Sequence, residues 1–123
     1  MAPGPTAAVG AAGERAAEDY LVGARYVIVA RNYRCRQGEV DLVALDGRTV
    51  VFVEVKARRG VGWGDPLEAV TPAKQRRLLR AAAHFLARHR LGERPVRFDV
   101  VGVCFGAGRA VCELVRDAFT ADE

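Results

Sequence analysis

At 123 residues the chain is one domain, long enough to bury a core without disulfide or metal staples. Half of its residues are hydrophobic and 28% are charged, a soluble globular balance that excludes a low-complexity chain, and no apolar stretch is long enough to span a bilayer. The formal net charge is +4, but setting aside Asp117, Asp122 and Glu123 near the C-terminus leaves 19 basic against 12 acidic side chains. A surface this basic attracts polyanions, nucleic acid first among them.

Residues 1–10 are Pro, Gly and Ala without periodicity and read as an unstructured tail. No basic residue precedes Arg15 and no compact apolar segment follows, so no secretory signal is expected. Three cysteines (Cys35, Cys104, Cys112) without CxxC spacing fit reduced thiols, which places the chain in the cytoplasm. Ala11 to Val22 reads as a helix, with Ala16, Ala17, Tyr20 and Leu21 on its apolar side and Gly23 as its stop. Tyr26 to Ala30 reads as a short strand. Residues 39–56 read as a β-hairpin, and residues 58–66 as a Gly-rich loop carrying Trp63, the only tryptophan. Thr71-Pro72 is a good N-cap and first-turn pair, opening a helix to about His89 with Leu78, Ala82, Phe85 and Leu86 on its stripe. Val96 to Cys104 and Ala110 to Val115 complete the order αβββαββ, with residues 117–123 a short acidic tail. That order predicts an α/β domain over residues 11–116, a mixed sheet flanked by helices.

The hairpin carries the chemistry. Its arms are Gly38-Glu39-Val40-Asp41-Leu42-Val43-Ala44-Leu45 and Thr49-Val50-Val51-Phe52-Val53-Glu54-Val55-Lys56. Asp46-Gly47 suits a type I′ loop, which would set Leu45 against Arg48, Glu39 against Glu54 and Asp41 against Phe52. Alternation then puts Glu39, Asp41, Phe52, Glu54 and Lys56 on one face, with Val51, Val53 and Val55 on the other. Asp41 and Glu54 become diagonal neighbours, and opposed carboxylates repel unless a cation sits between them. A divalent ion with oxygen ligands is the natural candidate. Glu-x-Lys on a strand is ordinarily two solvated charges, but here it is joined by an upstream Asp and turn chemistry. Lys56 and Lys74 are also the only lysines among 19 basic residues. In so Arg-rich a chain a Lys marks a place where Arg does not serve. Arg34, Arg36, Arg58, Arg59, Lys74 and Arg77 cluster in sequence around this hairpin, as nucleic-acid contacts or as a solubilising surface.

Six segments then carry a resemblance: Gly13-Glu14 with Ala17, Tyr20 and Leu21; Ala30-Arg31-Asn32-Tyr33-Arg34; Gly38 to Ala44; Val51 to Lys56; Ala69 to Lys74; and Arg97-Phe98-Asp99-Val100-Val101. Over roughly residues 13–103, in order, they resemble the bacterial YraN family. That family in turn resembles archaeal Holliday-junction resolvases of the PD-(D/E)XK nuclease superfamily, although Val40 stands where the superfamily name has Pro. The resemblance implies a restriction-endonuclease-like αβββαβ core, Asp41 and Glu54 as metal ligands, Lys56 as the catalytic lysine and Glu14 as a supporting acid. Mg²⁺, with Mn²⁺ as a substitute, would then be held by Asp41, Glu54 and the Val55 carbonyl. Read without the resemblance, Glu14 is an acid favoured by a helix N-terminus. Lys74, in the first turn of the second helix, is either a phosphate contact or a solvated charge. Trp63 stacks on a base or packs its loop down. Asp99 reads as a hydrogen-bonding structural acid, and His84 and His89 as structural or solvated. Two function classes follow: a metal-dependent endonuclease on branched or damaged DNA, and a nucleic-acid-binding module that does not cut. A protein-interaction surface is a third and weaker reading. Resolving a four-way junction would need two sites, and hence a homodimer.

Overall fold

The computed structural model describes the backbone of residues 5–59 and 70–120, and the side chains of residues 10–58 and 70–120. The elements are α1 (Pro5–Gly23), β1 (Val27–Cys35), β2 (Gly38–Asp46), β3 (Thr49–Arg59), α2 (Pro72–Arg88), β4 (Val96–Gly106) and β5 (Arg109–Phe119). One five-stranded sheet in the order β1-β2-β3-β4-β5 is antiparallel except between β3 and β4. That parallel pair needs a crossover, and α2 lies within it. The result is the mixed α/β architecture expected, with an αβββαβ core.

Helices cover both faces. Against α1 lie Leu42, Ala44, Val51, Val53, Val101 and Val103, with Ala17, Leu21 and Tyr26. Against α2 lie Val40, Val43, Val50, Phe52, Phe98 and Val100, with Leu78, Ala81, Ala82 and Phe85. Phe52 is the pivot of this second core, stacked on Phe98 at 5.6 Å and edge-on to Phe85 at 5.8 Å. Truncating so enclosed a ring typically costs about 3–5 kcal/mol. On β3 the alternation is as expected: even positions face α2 and odd positions face α1.

Five expectations need correction: β1 runs Val27–Cys35 rather than Tyr26 to Ala30, β3 takes in Arg58 and Arg59 from the expected loop, and the rest concern α1, β5 and the hairpin. Helix α1 begins at Pro5, not Ala11, so residues 5–10 continue the helix where a tail was expected. Alanine is the best helix former and proline is tolerated in a first turn, so absent periodicity was the wrong criterion there. Strand β5 runs on to Phe119 through a bulge in which Val100 pairs Val115 and Phe98 pairs Phe119, so residues 117–119 belong to the sheet. Finally, the hairpin loop is Gly47-Arg48. Asp46 pairs Thr49 and Leu45 pairs Val50, because Gly47 takes the positive φ (60°) that a type II′ turn needs at its first central position. Glu39 therefore does not oppose Glu54, nor Asp41 Phe52. The shift is two residues, so β3 keeps its faces, and the regular pairing runs only as far as Leu42↔Val53.

Candidate active site

Regular pairing between β2 and β3 ends at Leu42↔Val53, one step short of Asp41 and Glu54. In β2 the alternation also breaks at Asp41, since Val40 and Val43 both face α2 while Leu42 faces α1. Its neighbour in β1 breaks in the same place. Asn32 adopts φ 50°, between Arg31, which bonds Glu18 of α1, and Tyr33, which packs toward α2. Asn is among the few residues that enter the left-handed region readily. This paired fault turns the Asp41 side chain into the gap between the strands, where its Oδ2 accepts the Val55 N–H at 2.8 Å. An N–H and C=O of one strand residue leave from the same edge, so the Val55 carbonyl is directed there too.

Glu14 reaches the site from α1. A Cβ on Gly13 would meet the Ala57 Cβ at 2.4 Å, so only glycine lets the helix sit this close to β3. Glu14 lies mid-helix rather than in a first turn, which removes the helix-terminus explanation for it. Asn32 and Asp41 both draw its carboxyl downward, against the burial and the Glu39 charge that raise it. Asn32 is thus a site residue that the sequence reading quoted but gave no role; its signal was an Asn inside a run of β-formers.

The electrostatics are those of crowded acids. Burial, and next the repulsion of Asp41, hold Glu54 up to about 7. Asp41 is held up to about 6 by burial and by Glu14 and Glu39, against the opposing Val55 hydrogen bond. Glu14 is raised as well, by burial and by Glu39. Lys74 draws both Asp41 and Glu54 downward, and it acts on Glu54 more strongly than Lys56 does. Glu39 is exposed and pairs with Arg34 at 3.1 Å.

Glu54 opens into a groove of about 400 Å³ between the β1–β2 turn and the start of α2. Its walls bring together Arg34, Arg36, Glu39, Lys74 and Arg77. A Cβ on Gly38 would stand 2.8 Å from the Arg77 carbonyl, so glycine there lets turn and helix meet. Thr71 caps α2 as expected, accepting the Lys74 N–H at 3.3 Å. Arg58 is exposed near the end of β3 and is not part of the groove wall. The Arg59 side chain and Trp63 lie outside the described residues. Asp99 stands apart from these acids on the α1 face, and His84 bonds Tyr33.

Among the described residues, no three Asp, Glu, His or Cys side chains stand close enough together to enclose a metal. The donor set fits a hydrated ion instead, because Mg²⁺ usually takes one or two carboxylates and fills its shell with water and substrate phosphate. Two half-buried carboxylates, raised by desolvation and by neighbouring acids, are relieved by such a cation.

Known proteins resemble the chain along nearly its whole length. A UPF0102 protein of Symbiobacterium thermophilum is 55% identical over 92% of this chain and 97% of its own. Another from Alkalilimnicola ehrlichii is 50% identical over 98% and 93%, and one from Rhodococcus jostii 51% over 91% and 96%. No helix among the described residues is long and apolar enough to cross a membrane. With residues 13–103, from Gly13 beside Glu14 to the end of the β4 core, matching the profile described as "Uncharacterised protein family UPF0102", the chain belongs to that family.

Proposed function

We propose that this protein is a metal-dependent nuclease of the PD-(D/E)XK type, hydrolysing phosphodiester bonds in DNA of branched or damaged structure. The observation that carries the reading is the Asp41–Glu54 pair, raised by burial and by neighbouring acids, with Glu54 opening into a cation-lined groove. Perturbed carboxylates in a cleft are what phosphate hydrolysis requires and what a stability-driven surface avoids. Asp41, Glu54 and the Val55 carbonyl would hold Mg²⁺, or Mn²⁺ in its place. Bound there, the ion supplies a Lewis acid for the phosphate and a lowered pKa for water.

The chain's own groups do the rest. The Val55 N–H fixes the orientation of Asp41, and Asn32 fixes Glu14. Lys56, on the same face as Glu54, orients the attacking water or holds charge on the phosphate. Arg34, Arg36 and Arg77 line the path of the phosphate backbone. A four-way junction would require a second copy of the chain to supply the second cut.

The test is cleavage of end-labelled single-stranded, duplex, flap and four-way-junction DNA with Mg²⁺ or Mn²⁺, beside Asp41→Asn and Lys56→Ala. Metal-dependent cutting that both variants lose, by about 10³-fold or more, supports the reading. A second reading, a nucleic-acid-binding module that does not cut, is favoured by the lack of three converging ligands among the described residues. It is supported if no substrate is cut while binding persists and weakens steeply with salt.

A further inference from the structure

The chain has two lysines, and both act on the same carboxylate, Glu54. They come from different elements, Lys56 from β3 and Lys74 from α2. Only Lys74 lines the groove that Glu54 opens into; Lys56 is not part of its wall. The placement of Lys74 is prepared by the backbone. Thr71 accepts the Lys74 N–H and Pro72 opens the helix, while Gly38 holds the β1–β2 turn against the next turn of α2 at Arg77. Arg34, Arg36 and Arg77 line the same groove, and among its described lining residues Lys74 is the one lysine beside Glu54. A compact ammonium concentrates its charge on a single oxygen, whereas a guanidinium spreads it over a fork that suits two.

We propose that Lys74 is a second catalytic lysine of this site, hydrogen-bonding the departing oxygen of the scissile phosphodiester from the groove side of the carboxylates. This rests on the nuclease reading and separates two tasks within it. In the step, the oxygen of water bonds to phosphorus and the P–O ester bond breaks, leaving its electron pair on the departing oxygen. The attacking water gives up a proton to solvent and the departing oxygen takes one from solvent. The Lys74 ammonium holds the charge in between, and Lys56 serves the attacking side.

The experiment uses the full chain in single-turnover cleavage at saturating protein, on the DNA that the wild type cuts best. Matched oligonucleotides carry sulfur for the bridging oxygen at the scissile bond, in both the 3′- and 5′-bridging forms. A thiolate leaves without help, so the lost contact matters little there. Lys74→Ala is expected to slow the oxygen substrate on the order of 10²-fold at saturation and the matching sulfur substrate hardly at all. Lys74→Arg is expected to keep affinity without restoring the rate, and Lys56→Ala to slow both substrates. Because the cap bond uses the backbone N–H and the side chain is exposed, these variants keep α2. Full rate at saturation with a raised Kd would make Lys74 a phosphate anchor only and overturn the proposal, as would equal losses on oxygen and sulfur. A wild type that cuts neither substrate overturns the nuclease reading itself, a result seen without any variant.

Discussion

Two acidic centres, one buried and one half-buried, lie one residue row apart on neighbouring strands, and the chain treats them in opposite ways. Asp99 of β4 pairs with Val53, and the next row pairs Glu54 with Val100. The Asp99 side chain is wholly buried on the α1 face and fully satisfied: it accepts from the Tyr26 hydroxyl at 3.0 Å, from Arg97 Nε at 2.9 Å and from the Asp117 N–H at 3.0 Å. Arg97 is shared onward with Asp46 at the hairpin turn, so one network ties β2, β4 and β5 together. The left-handed Asp117 (φ 53°) explains why β5 bulges there, since its N–H is turned onto Asp99. Burial, with Asp99 beside it, pushes the Tyr26 phenol up to about 12. Asp41 and Glu54 instead face other acids; among the described residues the Val55 N–H bonds Asp41, Lys74 draws both acids down, and Lys56 draws down Glu54. A buried acid given its own cation braces the fold; a pair denied one is held ready for a cation from outside.

Removing each centre in turn tests that contrast. The largest effect is expected from Asp99→Ala, which strands Arg97, Tyr26 and the Asp117 N–H; it should destabilise by about 3–5 kcal/mol in urea unfolding. Glu54→Gln is expected to do the reverse. It should abolish metal-dependent cleavage and raise unfolding stability at pH 8 by roughly 1–3 kcal/mol, one pKa unit being about 1.4 kcal/mol. A loss of stability at pH 8 would sink the idea that the pair is strained.

The pH dependence has a definite sign. Asp41 and Glu54 have folded values above their ordinary 3.8 and 4.5, so in that window the folded state binds more protons than the unfolded chain. Their penalty is absent below about pH 4, grows as pH rises toward 7, and is complete above it. The wild type should therefore lose stability from pH 4 to 7 relative to Glu54→Gln, and millimolar Mg²⁺ should narrow the gap. Gly13→Ala, forced against Ala57, should cost about 1–3 kcal/mol and displace Glu14 from Asp41, seen as a Tm drop with lowered activity. The smallest change is Arg34→Ala. Its ion pair with Glu39 is largely exposed, so stability should move by no more than about 0.5 kcal/mol while DNA affinity falls.

Much of this was legible in one dimension. Local rules act within a few residues, so Thr71-Pro72 announced α2, the Val-rich runs announced β2 to β4, and the period of two on β3 put Glu54 and Lys56 on one face. The Asp46-Gly47 dipeptide announced the hairpin but not its register, because Gly47 suits the second position of one turn type and the first of another. The start of α1 was missed for the converse reason: an alanine-rich segment has strong propensity and no pattern.

By itself, then, the sequence determined the elements, their order, the acids and the lysines, since propensity, turn chemistry and side-chain type are properties of short segments. Only the tertiary structure decided which of these meet. Asn32 entered the site because a left-handed residue in β1 faces the fault at Asp41. Lys74 entered it because Gly38 lets a turn rest on a helix some forty residues away in the chain. Asp99 is the structural acid its place in an apolar strand suggested, but its partners, an arginine, a tyrosine and a backbone N–H on the opposite face, came from packing. Those outcomes depend on contacts between distant segments, and burial, which sets the charge state of each acid, exists only once the chain has closed around it.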